Sequence, residues 1–283
     1  MKRILLLVAI LAVAFTAKAE VEFAYEAGAE LVSAYLWRGQ YNGGLSFQPN
    51  LTIGYEGEKT SFSIGAWGSV GASDWGFRKE GDPSGETYFV PEIDILGSFT
   101  FFNVTLGFTH YYYFGGSKFL CWDKLEDFDV ENNTSSTEVQ IGFNFADILP
   151  ENHNLYFNWY TMVAGKDFVY DEITKDPVKR AYSSYLELGY DYTFDAIGLT
   201  LGAQVGLVPW ASDFYGTEDF AVKCVSLKLN KMWEFDACEL DLFAQGMVDT
   251  YDIDNSNTFI KASGDEKICN QKLNGCIGLG IWF

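Results

Sequence analysis

Hydrophobic side chains alternate with polar or small ones along most of this chain, and residues 275–283 show the pattern most clearly. One face of this segment carries Ile277, Leu279, Ile281 and Phe283, and the other carries Cys276, Gly278, Gly280 and Trp282. Successive side chains of a β-strand point to opposite faces, so a period of two predicts a strand with one apolar face. Such a segment is typical of a barrel wall strand whose apolar face lies in lipid.

Turn residues divide the rest of the sequence into similar segments, and about twelve strands result. The predicted strands are residues 23–38, 46–55, 60–73, 86–98, 103–114, 136–145, 153–165, 180–194, 198–210, 220–233, 237–251 and 275–283. Most are longer than the five or six residues of an average strand and reach the roughly 9–11 needed to cross a bilayer. Short and long connections alternate, as in barrels whose two termini face the periplasm.

The predicted fold is therefore all-β. We expect a closed antiparallel transmembrane β-barrel of about twelve strands, with short periplasmic turns and longer extracellular loops, rather than a sandwich. A closed barrel pairs every backbone polar group and leaves no strand edge in lipid, which an open sheet does not.

The first residues have the composition of an export signal. Two basic residues precede an apolar run, 4–15, and Ala17-Lys18-Ala19 places small residues where a signal peptidase recognises its substrate. The run is too short to span a bilayer as a helix, and Glu20 rather than cysteine follows the predicted cleavage site. We expect residues 1–19 to be a cleaved signal peptide and residues 20–283 to form a single outer-membrane β-barrel domain.

Acidic residues outnumber basic ones, 39 to 19, and give a net charge of −20 at pH 7. Such a surface does not neutralise phosphates, so we expect no nucleic-acid partner. The mean hydropathy is −0.02 and 17% of the residues are aromatic. This combination is typical of alternating lipid-facing and lumen-facing residues with aromatic girdles, and it is unusual for a soluble enzyme.

Five cysteines in an exported chain allow at most two disulfides. Cys121 and Cys269 lie in predicted long loops and are the candidate disulfide. Cys224, Cys238 and Cys276 lie within predicted strands, where we interpret them as small apolar side chains.

Acidic side chains dominate the face that the strands turn away from the predicted lipid. A charged group facing lipid costs about 2–4 kcal/mol near the midplane for Arg and Lys, and a slip of one residue would reverse every side chain. The predicted lumen-lining residues are Glu26, Glu30, Arg38, Glu92, Asp94, Glu187, Asp191, Lys228, Glu239, Asp241 and Asp249. Carboxylate rings favour cations in ion-conducting pores, so the sequence predicts an acidic, cation-preferring lumen.

The same carboxylates have a second interpretation. They hydrate the lumen, or they form a hydrogen-bonded plug with Arg38, Lys228, Gln204, Gln245 and Asn158. Barrels of eight strands are filled by side chains, whereas barrels of sixteen or more strands hold open channels. A barrel of about twelve strands lies between these cases. The sequence leaves both an open and a plugged lumen as hypotheses.

Three segments carry a resemblance to a known family. They are Ser33-Ala34-Tyr35-Leu36-Trp37-Arg38-Gly39-Gln40, then Gln48-Pro49, then Ser63-Ile64-Gly65-Ala66-Trp67-Gly68-Ser69. In these segments, about a fifth of residues 20–283, the chain resembles the TorF-type putative porins of bacteria. The resemblance implies an outer-membrane barrel with pore activity, and it implies no particular solute.

The function that these features favour is passive diffusion of small solutes through the outer membrane. The alternative is a non-conducting accessory barrel that binds an outer-membrane protein partner or a glycan through its outer loops. We expect contacts with outer-membrane lipid and lipopolysaccharide, and with the barrel assembly machinery during insertion. We predict no cofactor, no metal and no catalytic residues.

An outer-membrane lipid hydrolase is a third, less favoured class. It would need a histidine beside a serine near the outer rim on the lipid side. His110 lies on the outward face of its predicted strand, and Ser117 is the nearest loop serine. We interpret His110 as a girdle residue among the neighbouring tyrosines. His153 belongs to a predicted periplasmic turn, on the wrong side for that chemistry.

Overall fold

A computed structural model describes residues 22–71, 91–114, 118–120, 133–171, 177–212, 214–250 and 273–283. The predicted signal peptide, residues 1–19, lies outside these residues. Cys121 and Cys269, the candidate disulfide, also lie outside them. No helix in the described ranges is long and apolar enough to cross a membrane.

Sixteen strands account for most of the described residues. They are β1 Glu22–Val32, β2 Tyr35–Trp37, β3 Gln40–Gly43, β4 Ser46–Glu56, β5 Thr60–Gly71, β6 Glu92–Phe101, β7 Val104–Tyr113, β8 Ser135–Asn144, β9 His153–Gly165, β10 Phe168–Tyr170, β11 Pro177–Arg180, β12 Ser184–Phe194, β13 Leu199–Val208, β14 Ala221–Glu234, β15 Glu239–Asp249 and β16 Leu273–Trp282. One short 3-10 helix, Ala146–Ile148, precedes β9.

Twelve of the strands close into one antiparallel barrel. Its order is β1-β16-β15-β14-β13-β12-β9-β8-β7-β6-β5-β4, and β4 returns to β1. The predicted fold class, a closed antiparallel barrel of about twelve strands, is confirmed. The remaining strands form two small hairpins, β2–β3 and β10–β11, that are separate from the barrel sheet.

The first predicted strand, 23–38, is too long. The barrel strand β1 ends at Val32, where Ser33 Oγ accepts a hydrogen bond from Ile277 N at 2.8 Å and the chain leaves the wall. Residues 33–45 then form a hairpin, here called the interior hairpin, with Arg38 and Gly39 at its turn in left-handed backbone conformations (φ +47° and +86°). Period-two alternation continues through this hairpin, so it concealed the end of the wall strand.

The eighth predicted strand, 180–194, also begins too early. The barrel strand β12 starts at Ser184, and Arg180 belongs to β11, which pairs with β10 beyond the wall. Tyr182 separates the two strands with a positive φ of +52°.

Connections at the two ends of the barrel differ in length. At the end that carries Glu22 and Phe283, called the turn end, the connections are residues 57–59, 102–103, 145–152, 195–198 and 235–238. At the opposite end, called the loop end, they are residues 33–45, 72–91, 114–134, 166–183, 209–220 and 250–272. The predicted alternation of short and long connections is thus present in the strand order.

The outward face of the wall is apolar. Strand β16 alternates strictly between exposed and buried residues, and its outward side chains include Ile277 and Leu279, as predicted. Neighbouring strands continue this surface with exposed Leu31, Leu51, Ile53, Ile64, Leu106, Phe108, Val139, Ile141, Leu188, Val225, Leu227, Leu229 and Leu242. A soluble monomer rarely exposes a continuous apolar surface of this size, and such surfaces contact lipid or another protein.

Candidate functional site in the barrel interior

The interior hairpin extends across the barrel rather than along its wall. Arg38, at its turn, reaches Glu138 on β8, which lies across the barrel from β1 and β4 in the strand order. The turn passes close to β14, since a Cβ atom placed on Gly39 would lie 3.2 Å from the carbonyl oxygen of Lys223. A side chain at this position would therefore meet both steric crowding and an unfavourable φ.

Arg38 and Glu138 form a two-point ion pair. Arg38 Nη1 donates to Glu138 Oε2 at 2.6 Å, and Nη2 donates to Oε1 at 2.9 Å. The two side chains are 8% and 1% exposed. Tyr111 donates its hydroxyl to Glu138 Oε1 at 3.0 Å, so the carboxylate has three hydrogen-bond donors. Charge-assisted bonds in this fork geometry are the strongest that side chains form, and they fix the position of the hairpin turn.

Aromatic rings surround the guanidinium. Its Cζ atom lies 3.8 Å from the ring centroid of Tyr160, 4.7 Å from that of Trp37 and 5.1 Å from that of Tyr185. Nη1 also donates to the Tyr215 hydroxyl at 2.8 Å. We call Glu138, Tyr111, Tyr160, Tyr185 and Tyr215 the Arg38 box. Cation–π attraction adds to the ion pair where the ring faces are shielded from water.

Tyr215 comes from the connection 209–220, which folds back over the interior at the loop end. Its ring is 1% exposed and stacks on Trp37 at 6.1 Å. Burial raises the pKa of the Tyr215 phenol, so the hydroxyl stays protonated beside Arg38. The interior hairpin and this connection therefore pack against each other inside the barrel. Arg38 is thus bonded across the barrel interior rather than along its wall.

A second ion pair lies nearby, between Lys223 on β14 and Asp249 on β15. Lys223 Nζ donates to Asp249 Oδ2 at 2.6 Å, and the Lys223 side chain is 2% exposed. The pairing of β13 with β14 shifts between Gly206 and Leu207, so Lys223 is an extra residue, a β-bulge, in the wall. Simple alternation assigns Lys223 to the lipid face, and the bulge turns it inward.

Glu92 and Asp94 lie on β6 and are buried. Tyr35 of the interior hairpin and Tyr113 of β7 both make side-chain hydrogen bonds with Glu92, and the two carboxyl groups contact each other. Glu92 Oε1 and Asp94 Oδ1 are buried without a hydrogen-bond partner in the structure. This acidic pair therefore differs from Glu138, because no basic side chain is bonded to it in the described part of the chain.

The other interior carboxylates are bonded mainly by amides rather than by basic side chains. Gln204 donates to Glu187, and Asn158 also donates to it at 3.4 Å. Asn154 donates to Asp191 at 3.2 Å, Asn230 donates to Asp241 at 2.5 Å, and Asn50 donates to Glu26 at 3.4 Å. Amide donors hold a carboxylate in place without cancelling its charge.

Three other predicted lumen residues are Glu30, Lys228 and Glu239. Lys228 Nζ lies 4.0 Å from the centroid of the Phe243 ring and interacts electrostatically with Glu30 and Asp241. Glu30 pairs with Gln48 of β4 and Gly280 of β16. Glu239 is exposed at the turn end, opposite Trp282.

Glu138 is the main residue that sequence reasoning missed. It alternates with Val139 and Ile141 along β8 and shares a face with Gln140, so the pattern already contained a signal for an inward carboxylate. Its importance depends on the interior hairpin, which brings Arg38 across a separation of 100 residues in sequence. Strand periodicity carries no information on such a contact.

His110 lies on the outward face of β7, but it is buried beneath the segment 118–120. Its Nδ1 atom is 2.9 Å from Thr137 Oγ1, and its Nε2 atom is 2.6 Å from the carbonyl oxygen of Phe119. With both ring nitrogens engaged, it lacks the free position that a general base for a serine requires. Ser117 lies outside the described residues. His153 is at the start of β9 and contacts Tyr190 and Tyr192.

The three described cysteines are unpaired thiols. Cys224 and Cys276 are buried within strands β14 and β16. Cys238 is half-buried in the connection before β15, and not in the strand as the sequence suggested.

No family model matches the sequence, and no curated protein matches it. Solved structures with a similar course of the chain include Salmonella typhi OmpF in complex with daunomycin (9% identity, TM-score 0.39, covering 94% of this chain and 98% of that one). They also include a Pseudomonas aeruginosa FadL homologue (11% identity, TM-score 0.35, covering 96% of this chain and 91% of that one). A third is the CymD monoaromatic hydrocarbon channel (10% identity, TM-score 0.37, covering 91% of this chain and 87% of that one). Because these TM-scores are low, the assignment of the fold rests on the strand register of the chain itself.

Proposed function

We propose that this chain is a porin-like channel of the bacterial outer membrane, through which small solutes diffuse passively with a preference for cations. The observation that carries the proposal is a closed barrel with an apolar outer face and amide-held carboxylates inside. In this proposal lipid and lipopolysaccharide contact the outer face, the turn end faces the periplasm, and the barrel assembly machinery inserts the chain. Membership of the TorF-type porins is part of the same proposal.

In this proposal the interior hairpin acts as a plug, which makes the channel narrow rather than wide. One of the three segments that carry the family resemblance, 33–40, is the first half of the interior hairpin, and Arg38 within it is bonded across the lumen. A twelve-stranded barrel has less interior space than the sixteen-stranded porins that hold water-filled channels. We therefore expect low unitary conductance that increases when the hairpin moves.

Single-channel recording in planar bilayers tests the proposal. With a tenfold gradient of KCl across the bilayer, the purified barrel is expected to show discrete conductance steps and a reversal potential shifted toward the potassium equilibrium potential. Absence of conductance would overturn the channel, and a shift toward chloride would overturn the cation preference.

The double variant Glu30→Gln/Asp241→Asn, which neutralises two interior carboxylates, is expected to weaken the preference for cations. A unit charge about 10 Å from an ion contributes about 0.4 kcal/mol in water, and salt screens part of it. The potassium-to-chloride permeability ratio should therefore fall on the order of two- to fourfold for the pair. Asp195→Asn, in the short connection 195–198, is the control and should leave the ratio unchanged. Equal ratios in all three proteins would contradict a role for the interior charges.

The interior hairpin, which Arg38 bonds across the lumen, favours one second candidate, a non-conducting accessory barrel that binds an outer-membrane protein or a glycan through its long connections. Gentle solubilisation of membranes followed by co-purification separates the two candidates. A stable partner together with no conductance would support the accessory barrel. A lone monomer that conducts would support the channel.

A further inference from the structure

We infer that the Arg38 box is a binding site for guanidinium-type cations, which the chain's own Arg38 occupies, and that a small solute with a planar guanidinium competes for it. The inference deepens the proposed channel function and rests on it, because it names the solute class that the interior recognises. It concerns the residues around Arg38 rather than Arg38 itself.

The box has the features that distinguish guanidinium recognition from a general attraction for cations. Glu138 receives two parallel N–H donors at 2.6 and 2.9 Å, a geometry that matches the planar fork of guanidinium and not an ammonium group. Tyr160 presents its ring face at 3.8 Å from the carbon of the guanidinium, where the cation stacks on the ring. Tyr215 accepts one further N–H.

These recognition groups do not belong to the interior hairpin. Tyr111, Glu138, Tyr160 and Tyr185 lie on the wall strands β7, β8, β9 and β12, and Tyr215 lies in the connection 209–220. Tyr111 donates to the carboxylate whether or not Arg38 is present, because its bond is to Glu138. The box therefore remains complete when the hairpin is withdrawn, and only Trp37 leaves with Arg38.

Apart from Arg38, the hairpin is held by side-chain contacts: Tyr35 bonds Glu92, the Trp37 ring packs on Tyr215, and Gln40 donates to the Phe214 carbonyl. Its strands β2 and β3 pair over only a few residues with a register shift, and they are not bonded into the barrel sheet. Arg38 adopts a φ of +47°, a conformation that a non-glycine residue keeps only when its surroundings impose it. Because Arg38 is tethered, its effective concentration at the box is in the millimolar range or above, and a free solute competes only near that range.

Removing the tethered competitor tests the inference. The variant Arg38→Ala, folded in detergent micelles, is titrated with ethylguanidinium and with ethylammonium by isothermal calorimetry. We expect ethylguanidinium to bind Arg38→Ala. Wild type should bind it at least about tenfold more weakly than Arg38→Ala does, because Arg38 competes. Arg38→Ala/Glu138→Gln should also bind it at least about tenfold more weakly than Arg38→Ala does, because the carboxylate is lost. Ethylammonium, which lacks the fork, should bind Arg38→Ala at least about tenfold more weakly than ethylguanidinium. Arg180→Ala, in the β10–β11 hairpin, is the control and should behave as wild type.

Each outcome either supports or overturns the inference. A folded Arg38→Ala that binds no ethylguanidinium overturns the inference, as does equal binding of ethylammonium or binding that survives Glu138→Gln. Folding is judged by the faster gel migration of folded barrels before heating. If Arg38→Ala folds only when ethylguanidinium is present, the rescue supports the site. Failure to fold even with the ligand overturns it. Calorimetry in micelles does not depend on conductance, so an absent channel current would overturn the proposed function while leaving a positive binding result intact.

Discussion

Glu138→Gln is expected to lower the free energy of unfolding by about 3–5 kcal/mol, because it leaves the buried Arg38 guanidinium without its carboxylate. Glutamine keeps the shape of the side chain and one acceptor oxygen, so the loss reports on charge rather than on a cavity. Urea titration of the barrel in lipid vesicles, followed by tryptophan fluorescence, measures the change. Glu58→Gln, at an exposed position in the turn 57–59, is the control and should stay within about 0.5 kcal/mol of wild type.

Removing both charges should restore much of this stability. In Arg38→Met/Glu138→Leu, apolar side chains of similar volume replace the pair, and such replacements are often neutral or stabilising by about 1–4 kcal/mol. The double variant is therefore expected to be more stable than Glu138→Gln alone. A loss below about 1 kcal/mol for Glu138→Gln would show that the pair is not buried as described.

Leu227→Arg is expected to destabilise the barrel in vesicles by about 2–4 kcal/mol, since Leu227 is 56% exposed on the apolar outer face near the middle of β14. The matched control is Asn230→Arg on the same strand. Asn230 faces inward and bonds Asp241 at 2.5 Å, so an arginine there meets a carboxylate. The control should therefore cost less than about 1 kcal/mol.

The same urea titration compares the two variants, and the fraction that inserts into vesicles gives a second readout. Equal losses for Leu227→Arg and Asn230→Arg would contradict the assignment of the two faces. A larger loss for Asn230→Arg would reverse it.

The wall of the barrel was predictable because each wall strand repeats one simple rule. Ile277, Leu279 and their counterparts on other strands point outward at every second position, and short connections such as 57–59 separate strands at the turn end. An apolar outer face and a polar interior impose this period on every strand, so the sequence retains it.

The interior was less predictable because it depends on departures from that rule. Alternation continues past Val32 into the interior hairpin, so Arg38 was placed on the wall although it spans the lumen. A single extra residue at Lys223 turns a side chain inward that strict alternation assigns to lipid. Glu138 was missed although it alternates with Val139 and Ile141, and its partner is set by tertiary contact alone.

Spin labelling of residues 225–230 on β14 shows whether alternate side chains of the wall face lipid while the others face an acidic interior. In a variant without native cysteines, we predict that labels at Val225, Leu227 and Leu229 collide readily with oxygen, which partitions into lipid. Labels at Ser226, Lys228 and Asn230 should not show these collisions. Oxygen accessibility without a period of two, or with its maxima at the even-numbered positions, would contradict this assignment of the outward and inward faces.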